Sequence, residues 1–396
     1  MGKRIHKLIL PLACITLILS GCWNRREMNE LAINMGLGID KVGKEYRITA
    51  QVVNPREVAA KGGGGGESAV TVYQASGVTI FDAIRRITEE SPRRLYMSHL
   101  RVLVLGEGLA KQGIGPVLDY LSRDHELRTD FYIVVAKDTR AEEILKVQTA
   151  IEEVPANKLF TSMYESQKSW APTVTVTLDK LITDLVSEGK NPVLTSVKLI
   201  GKASNPQVKT NQTPNPQPRI KLSGLAVFRK DKLIGWLDEE QSKGYSFLID
   251  KVANTVGRIT CPDGGKLNLE IVRTKTDTKG RVVNGKPEIR IDIHSEGNIG
   301  EVQCQIDLTK PETITELENI ANERLKQIIL QTINTVQKNY KTDIFGFGET
   351  IRRSDPKGWK QIREDWDKLF PEMTVQVNTD NQIRRLGTVT NPIFKQ

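Results

Sequence analysis

Leu100-Arg101-Val102-Leu103-Val104-Leu105 is the stretch that decides the first half of this chain. A near-continuous apolar run of this length is the pattern of a strand covered on both faces. Phe131 to Ala136 repeats it, and a helical stretch around Val117–Leu121 lies between the two. Upstream, Leu31–Asp40 and Tyr46–Val53 read as paired strands around a Val42-Gly43 turn, and Val70–Ala75 as a third strand. Thr79–Glu90 reads as a helix with Ile80, Ala83, Ile84 and Ile87 on one face. Strands alternating with helices in this order predict an α/β unit over residues 22–138.

Helical signals dominate Thr139–Glu188, including Ala141–Val147 and Leu178–Val186. A meander follows: strands over Val193–Ile200 and Ile220–Phe228, a turn at Asp231-Lys232, and a return over Leu233–Trp236. Ala203–Pro218, rich in Pro, Asn, Gln and Thr, reads as a mobile loop (203–218) within a hairpin of this middle α+β unit, 139–250. In the last unit, 251–396, Leu267, Leu269 and Ile271 alternate, as do Ile289, Ile291 and Ile293, so two half-buried strands face one core. Val302–Leu308 adds a third strand. Pro311 opens a helix to about Tyr340, roughly 45 Å long at 1.5 Å per residue, enough to cross a sheet. A second amphipathic helix carries Trp359, Ile362, Trp366 and Leu369, and a hairpin of Thr374–Val377 and Gln382–Val389 closes the chain. The expected fold class is α+β, a mixed α/β multidomain chain. Its sheets are flanked by helices, with the long helix packed across the C-terminal sheet.

The N-terminus fixes topology. Lys3, Arg4 and Lys7 precede an apolar run from Leu8 to Leu19, then Ser20-Gly21 and Cys22. This is the lipobox pattern of bacterial lipoproteins, and it predicts a signal peptide over 1–21, removed to leave Cys22 as the S-diacylglyceryl and N-acyl site. An ordinary secretory signal is the other reading. The apolar run is about half of the ~20 residues a spanning helix requires. Two acyl chains, at about 0.8 kcal/mol per buried methylene, anchor where one binds marginally. The expected location is therefore the extracytoplasmic face of a membrane.

With 396 residues, 38% hydrophobic and 27% charged, the chain exceeds one ordinary core and suits folded domains. Its formal charge of +9 is spread without a long Lys/Arg block, which argues against nucleic acid as a partner. Cys261 and Cys304 read as two buried free thiols, with a disulfide between them as the alternative. His99, His125 and His294 are scattered over different elements, and Arg123-Asp124-His125-Glu126 reads as a solvated ion-pair cluster. Neither G-x-S-x-G nor H-E-x-x-H occurs. The Gly62–Gly66 run lacks the strand-to-helix setting of a phosphate loop. No catalytic residue, metal or cofactor is expected. Asp343-Ile344-Phe345-Gly346-Phe347-Gly348 admits two readings: a turn whose aromatics fold back on the core, or an exposed partner contact. Phe345 and Phe347 are thus the candidate contact residues.

Taken together, these residues resemble the Ger(x)C family, the lipoprotein C subunits of nutrient germinant receptors in endospore formers. The resemblance is carried by Cys22-Trp23-Asn24-Arg25-Arg26-Glu27, Gly36-Leu37-Gly38-Ile39-Asp40 and Ser98-His99-Leu100-Arg101-Val102-Leu103-Val104. It continues through Leu109-Ala110, Gly113-Ile114, Leu118-Asp119 and Arg123-Asp124. Gly224-Leu225-Ala226-Val227-Phe228, Leu233-Ile234-Gly235-Trp236-Leu237, the 343–348 motif and the Trp359–Trp366 helix complete it. It implies a non-enzymatic receptor subunit on the spore inner membrane beside integral-membrane A and B subunits. The only site it transfers is Cys22. A solute-binding lipoprotein would need two similar lobes, and a lipid-anchored cell-wall hydrolase a catalytic carboxylate pair; both remain as other classes.

Overall fold

The computed structural model describes residues 28–59, 68–149, 152–201, 218–262 and 264–385. The expected signal peptide, Cys22, the pentaglycine and all but Pro218 of the Ala203–Pro218 insert lie outside these residues. Two sheets form the frame. The first holds nine strands: β1 Leu31–Val42, β2 Glu45–Val53, β3 Val70–Gly77, β4 Arg94–Tyr96, β5 Val102–Leu105, β6 Tyr132–Ala136, β7 Val193–Ile200, β8 Arg219–Arg229 and β9 Lys232–Leu237. Their order is β3-β2-β1-β5-β6-β7-β8-β9, with β4 beside the start of β1. The β1-β5-β6-β7 centre is parallel, and both flanks are antiparallel.

The apolar run at β5 explains why the sheet is covered twice. Leu103 and Leu105 enter a core with Ile80, Leu109 and Val117, while Val102 and Val104 enter another with Ile144, Leu159 and Met163. Helices Ile80–Arg86, Glu107–Gln112 and Gly115–Arg123 supply the first layer, and Ala141–Leu145 and Pro155–Ser169 the second. Thr79 starts the Ile80 helix, its hydroxyl accepting the Asp82 N–H at 3.1 Å. At the end of β1, Asp40 does the same across the fold, its carboxylate accepting the Ala141 and Glu142 N–H groups at 3.0 Å each. Gly36 and Gly38 let that helix approach, since a Cβ at either position would lie 3.0 Å from Leu145.

The second sheet, in the order β10-β11-β12-β13, comprises β10 Thr255–Thr260, β11 Lys266–Val283, β12 Lys286–Val302 and β13 Thr374–Arg385. β11 and β12 form a long hairpin whose turn, Asn284-Gly285, has φ of 51° and 75°, the left-handed pair a tight hairpin demands. The helix Pro311–Thr335 packs on this sheet through Leu317, Ala321, Leu325 and Ile329, as expected. It ends in a π-helical turn, Val336–Tyr340. Tyr340 then locks onto the first sheet. Its hydroxyl donates to the Trp236 carbonyl at 2.7 Å and accepts the Trp236 N–H at 3.2 Å. Gly235 makes room, because a Cβ there would lie 2.2 Å from the tyrosine ring.

Four expectations are corrected. The boundary at 138 falls inside a sheet: β6 and β7 pair directly, so the strands of residues 193–237 continue the first sheet. The closing hairpin is instead one strand, β13, running parallel to β12 through Asp380-Asn381. Val302–Leu308 is not a strand, because β12 ends at Val302. Cys261 and Cys304 are joined in a disulfide. Their Cα atoms, 6.3 Å apart, meet because β10 ends at Thr260 just where β12 has run out. This bridge closes a loop of 43 residues' separation. By chain entropy it stabilises the fold by about 4 kcal/mol. Replacing both cysteines with serine is expected to lower the unfolding free energy in a urea titration by up to that amount, with secondary structure retained at low denaturant.

Candidate functional site

The 343–348 motif follows the long helix directly, and Lys341, at φ 48°, ends that helix. The chain then turns so tightly that the Asp343 carboxylate accepts the N–H groups of Phe345, Gly346 and Gly348 at 3.0, 2.9 and 2.9 Å. The motif thereby caps the helix Phe347–Ser354 from inside the protein. The Asp343 carbonyl accepts the Asn191 N–H at 2.6 Å, tying the turn to the entrance of β7. Beside it Lys190 pairs with the nearly buried Asp184 at 2.9 Å, and Ser187 donates to Glu349. Gly189 and Gly348 touch backbone to backbone, with the Trp359 ring against both. The turn is therefore a junction between the two sheets.

Both phenylalanines point into that junction. Phe345 is 8% exposed and Phe347 1%. Their rings lie 5.0 Å apart and continue to Tyr245 at 6.1 Å and Phe370 at 6.5 Å. The candidate partner contact is thus corrected: a buried ring has no surface to offer, and the partner of these aromatics is the chain itself. Phe347→Ala is expected to cost about 3–5 kcal/mol in the isolated protein, measured by chemical denaturation.

Burial pushes the Asp343 carboxyl up from 3.8 to about 7, with the turn's N–H groups pulling the other way. A carboxyl raised in the folded state holds its proton more tightly than the unfolded chain between these values. Folding is thus favoured at the acid end of that window, and stability is lost as pH rises towards 7. Melting temperatures across pH 4–8 are expected to show this slope, and Asp343→Asn to flatten it.

The histidines sit apart in role. His99 lies against the Tyr96 ring at 5.8 Å, and His294 pairs with Asp380 at 3.1 Å on the second sheet. His125 is at the rim of a cleft of about 620 Å³ between the helices Ile80–Arg86 and Gly115–Arg123. Phe81, half exposed, and Tyr120 give this cleft aromatic walls, and the Arg85 guanidinium sits 4.9 Å above the Phe81 ring. Its carboxylates are engaged: Asp119 with Arg123, Glu126 with Arg94, and Asp124 by the Tyr120 hydroxyl. Burial raises the Tyr120 phenol, keeping it a donor. In sequence, residues 123–126 look like a surface cluster and the cleft is not visible, because Phe81 and Arg85 come from a different helix. Among the described residues no group of three or more His, Cys, Asp or Glu could hold a metal.

Comparisons with known proteins give the chain its relatives. Residues 24–199 match the family described as the spore germination protein N-terminal domain, and residues 223–387 the one described as spore germination B3/GerAC like, C-terminal. Spore germination protein KC of Bacillus subtilis is 33% identical over 392 residues, covering 96% of this chain and 95% of that protein. Spore germination protein B3 of the same organism is 26% identical, covering 94% and 96%. The crystal structure of the GerBC protein shares the fold, with a TM-score of 0.54 at 22% identity, over 88% of this chain and 96% of that one. With both halves matched in order around one shared core, the chain belongs to the Ger(x)C family of spore germination proteins.

Proposed function

We propose that this protein is the lipid-anchored, non-catalytic C subunit of a nutrient germinant receptor. It is held through Cys22 on the outer face of the spore inner membrane, beside integral-membrane A and B subunits. The observation that carries the reading is similarity to spore germination protein KC along 96% of the chain, through both matched segments. The lipobox supports the anchor. Among the described residues no helix is long and apolar enough to cross a membrane. A subunit of this kind acts by contact, and its rigid two-sheet body suits transmission of a docking event better than bond-making.

Copurification from spore membranes tests the reading. Two integral-membrane proteins are expected to follow a tagged copy, and recovery of the tagged protein alone would overturn complex membership. Cys22→Ala is expected to leave the membrane fraction or accumulate uncut; a correctly processed, membrane-retained variant would remove the anchor from the account.

A further inference from the structure

The two edges of the second sheet are finished differently. Along β13, side chains of the long helix occupy the outward N–H groups: Asn322 Oδ1 accepts the Asn381 N–H, and Glu318 Oε1 accepts the Ile383 N–H, each at 2.8 Å. That edge is capped over Asn381–Ile383. β10 pairs only with β11, and among the described residues no backbone group of Thr255–Thr260 bonds to anything else. Alternate residues of such a strand turn both N–H and C=O outward, a template for another strand that folded proteins ordinarily cover.

The space beside β10 has a definite chemistry. A groove of about 550 Å³ opens there, between the strand, the long helix and the helix Glu239–Leu248. Thr255 and Ile259 are buried on its inner side, with Gly257 between them. A Cβ on Gly257 would meet nothing nearer than the Leu269 carbonyl oxygen at 4.0 Å, so the groove has room in front of it. Phe247, Leu325 and Ile328 make its inner wall apolar. On the outer face Val256 is 37% exposed and Arg258 and Thr260 are open to solvent. The lining also favours one sign of charge. Lys243, Arg258, Lys266 and Arg324 stand against Glu239 and Glu240. Those two acids already face Lys243 and Arg324. Among the described residues Arg258 and Lys266 have no carboxylate within ion-pair distance.

We propose that β10 is a docking strand for an extended segment of a partner protein, one that alternates apolar and acidic side chains. Main-chain hydrogen bonds to the free edge supply the attachment, and the alternate side chains supply the selection. Apolar residues of the added strand enter the groove before Gly257, and an acidic residue lies across from Arg258 on the outer face. The identity of the partner as a receptor subunit rests on the reading above, whereas the strand chemistry does not.

Two measurements test it. Amide hydrogen exchange on the mature protein is followed with two synthetic hexapeptides, (Val-Glu)3 and (Val-Lys)3. The Glu peptide is expected to protect the β10 amides and the Lys peptide to leave them exchanging. Arg258→Glu is expected to weaken the Glu peptide at least tenfold. Gly257→Leu, which fills the groove, is expected to abolish its protection. Melting curves of both variants are taken first, and the exposed Arg258 keeps the test decisive if the glycine variant unfolds. Absence of protection by the Glu peptide, or equal protection by both, overturns the proposal. So does Arg258-dependent binding to phosphatidylglycerol vesicles without peptide protection, which would make the edge a membrane contact. In spores, a photocrosslinking amino acid at Val256 is expected to capture an acidic extended segment of a copurifying integral protein. An intact complex with no crosslink from Val256 overturns the docking strand and leaves the receptor reading standing. Absence of any complex overturns the receptor reading, and the peptide result then decides the strand alone.

Discussion

A buried carboxylate meeting a ring of backbone N–H groups is the constraint on which the rest of this structure depends. Asp343 has almost no exposure, and a polar group in that position is costly unless it is hydrogen-bonded. The 343–348 turn meets that demand by wrapping around its own side chain. Once wrapped, the chain has one path: the long helix ends, the aromatics face inward, and the next helix starts against the loop at Gly189. The Tyr340 clasp on Trp236 lies a few residues earlier and fixes the same corner from the other side. Sheet positions follow from these contacts. Either sheet could form its own ladder; this corner, together with the helix Glu239–Leu248 lying between the long helix and the first sheet, sets one against the other.

Much of this was legible in the sequence, for identifiable reasons. Strands with strict alternation or continuous apolar character, such as β1, β5, β7 and β12, carry their burial in local pattern. The order of elements along the chain shows as well. What stayed hidden depended on distant partners. Residues 374–385 contain Asp380-Asn381, which locally resembles a turn, yet the Asn381 N–H and side chain are claimed by Asn322 on the long helix and the strand runs straight through. Cys261 and Cys304 show no spacing that distinguishes a bridge from two thiols; the neighbouring strand ends create the pair. Asn284-Gly285 is a turn signal readable in the sequence, and among the described residues it marks the longest hairpin. The candidate contact residues failed for a related reason. Glycines beside Phe345 and Phe347 suggested projection, but Gly348 serves close backbone packing against Gly189 and Gly346 supplies the left-handed φ of 78° of the turn.

The recurring glycine-rich segments acquire a common explanation. Gly36 and Gly38 admit the Leu145 side chain, and Gly235 admits the Tyr340 ring. Each marks a place where a layer presses on a strand closely enough that a methyl group would collide. Such positions hold the layers in register, so these motifs describe architecture. Chemistry has to be sought where layers leave gaps, as in the cleft beside Phe81 and the groove beside β10.

The shared core has a consequence for how proteins of this family can diversify. Residues as far apart in sequence as Leu37 and Ile291, or Phe228 and Trp359, belong to a single apolar cluster. The two matched segments therefore cannot be traded between paralogues as modules, even though a sequence gap separates them. A hybrid spliced between residues 200 and 222 would join two half-interfaces that never co-adapted around the 343–348 corner. A hybrid that folds would need its corner and its shared core taken from one parent.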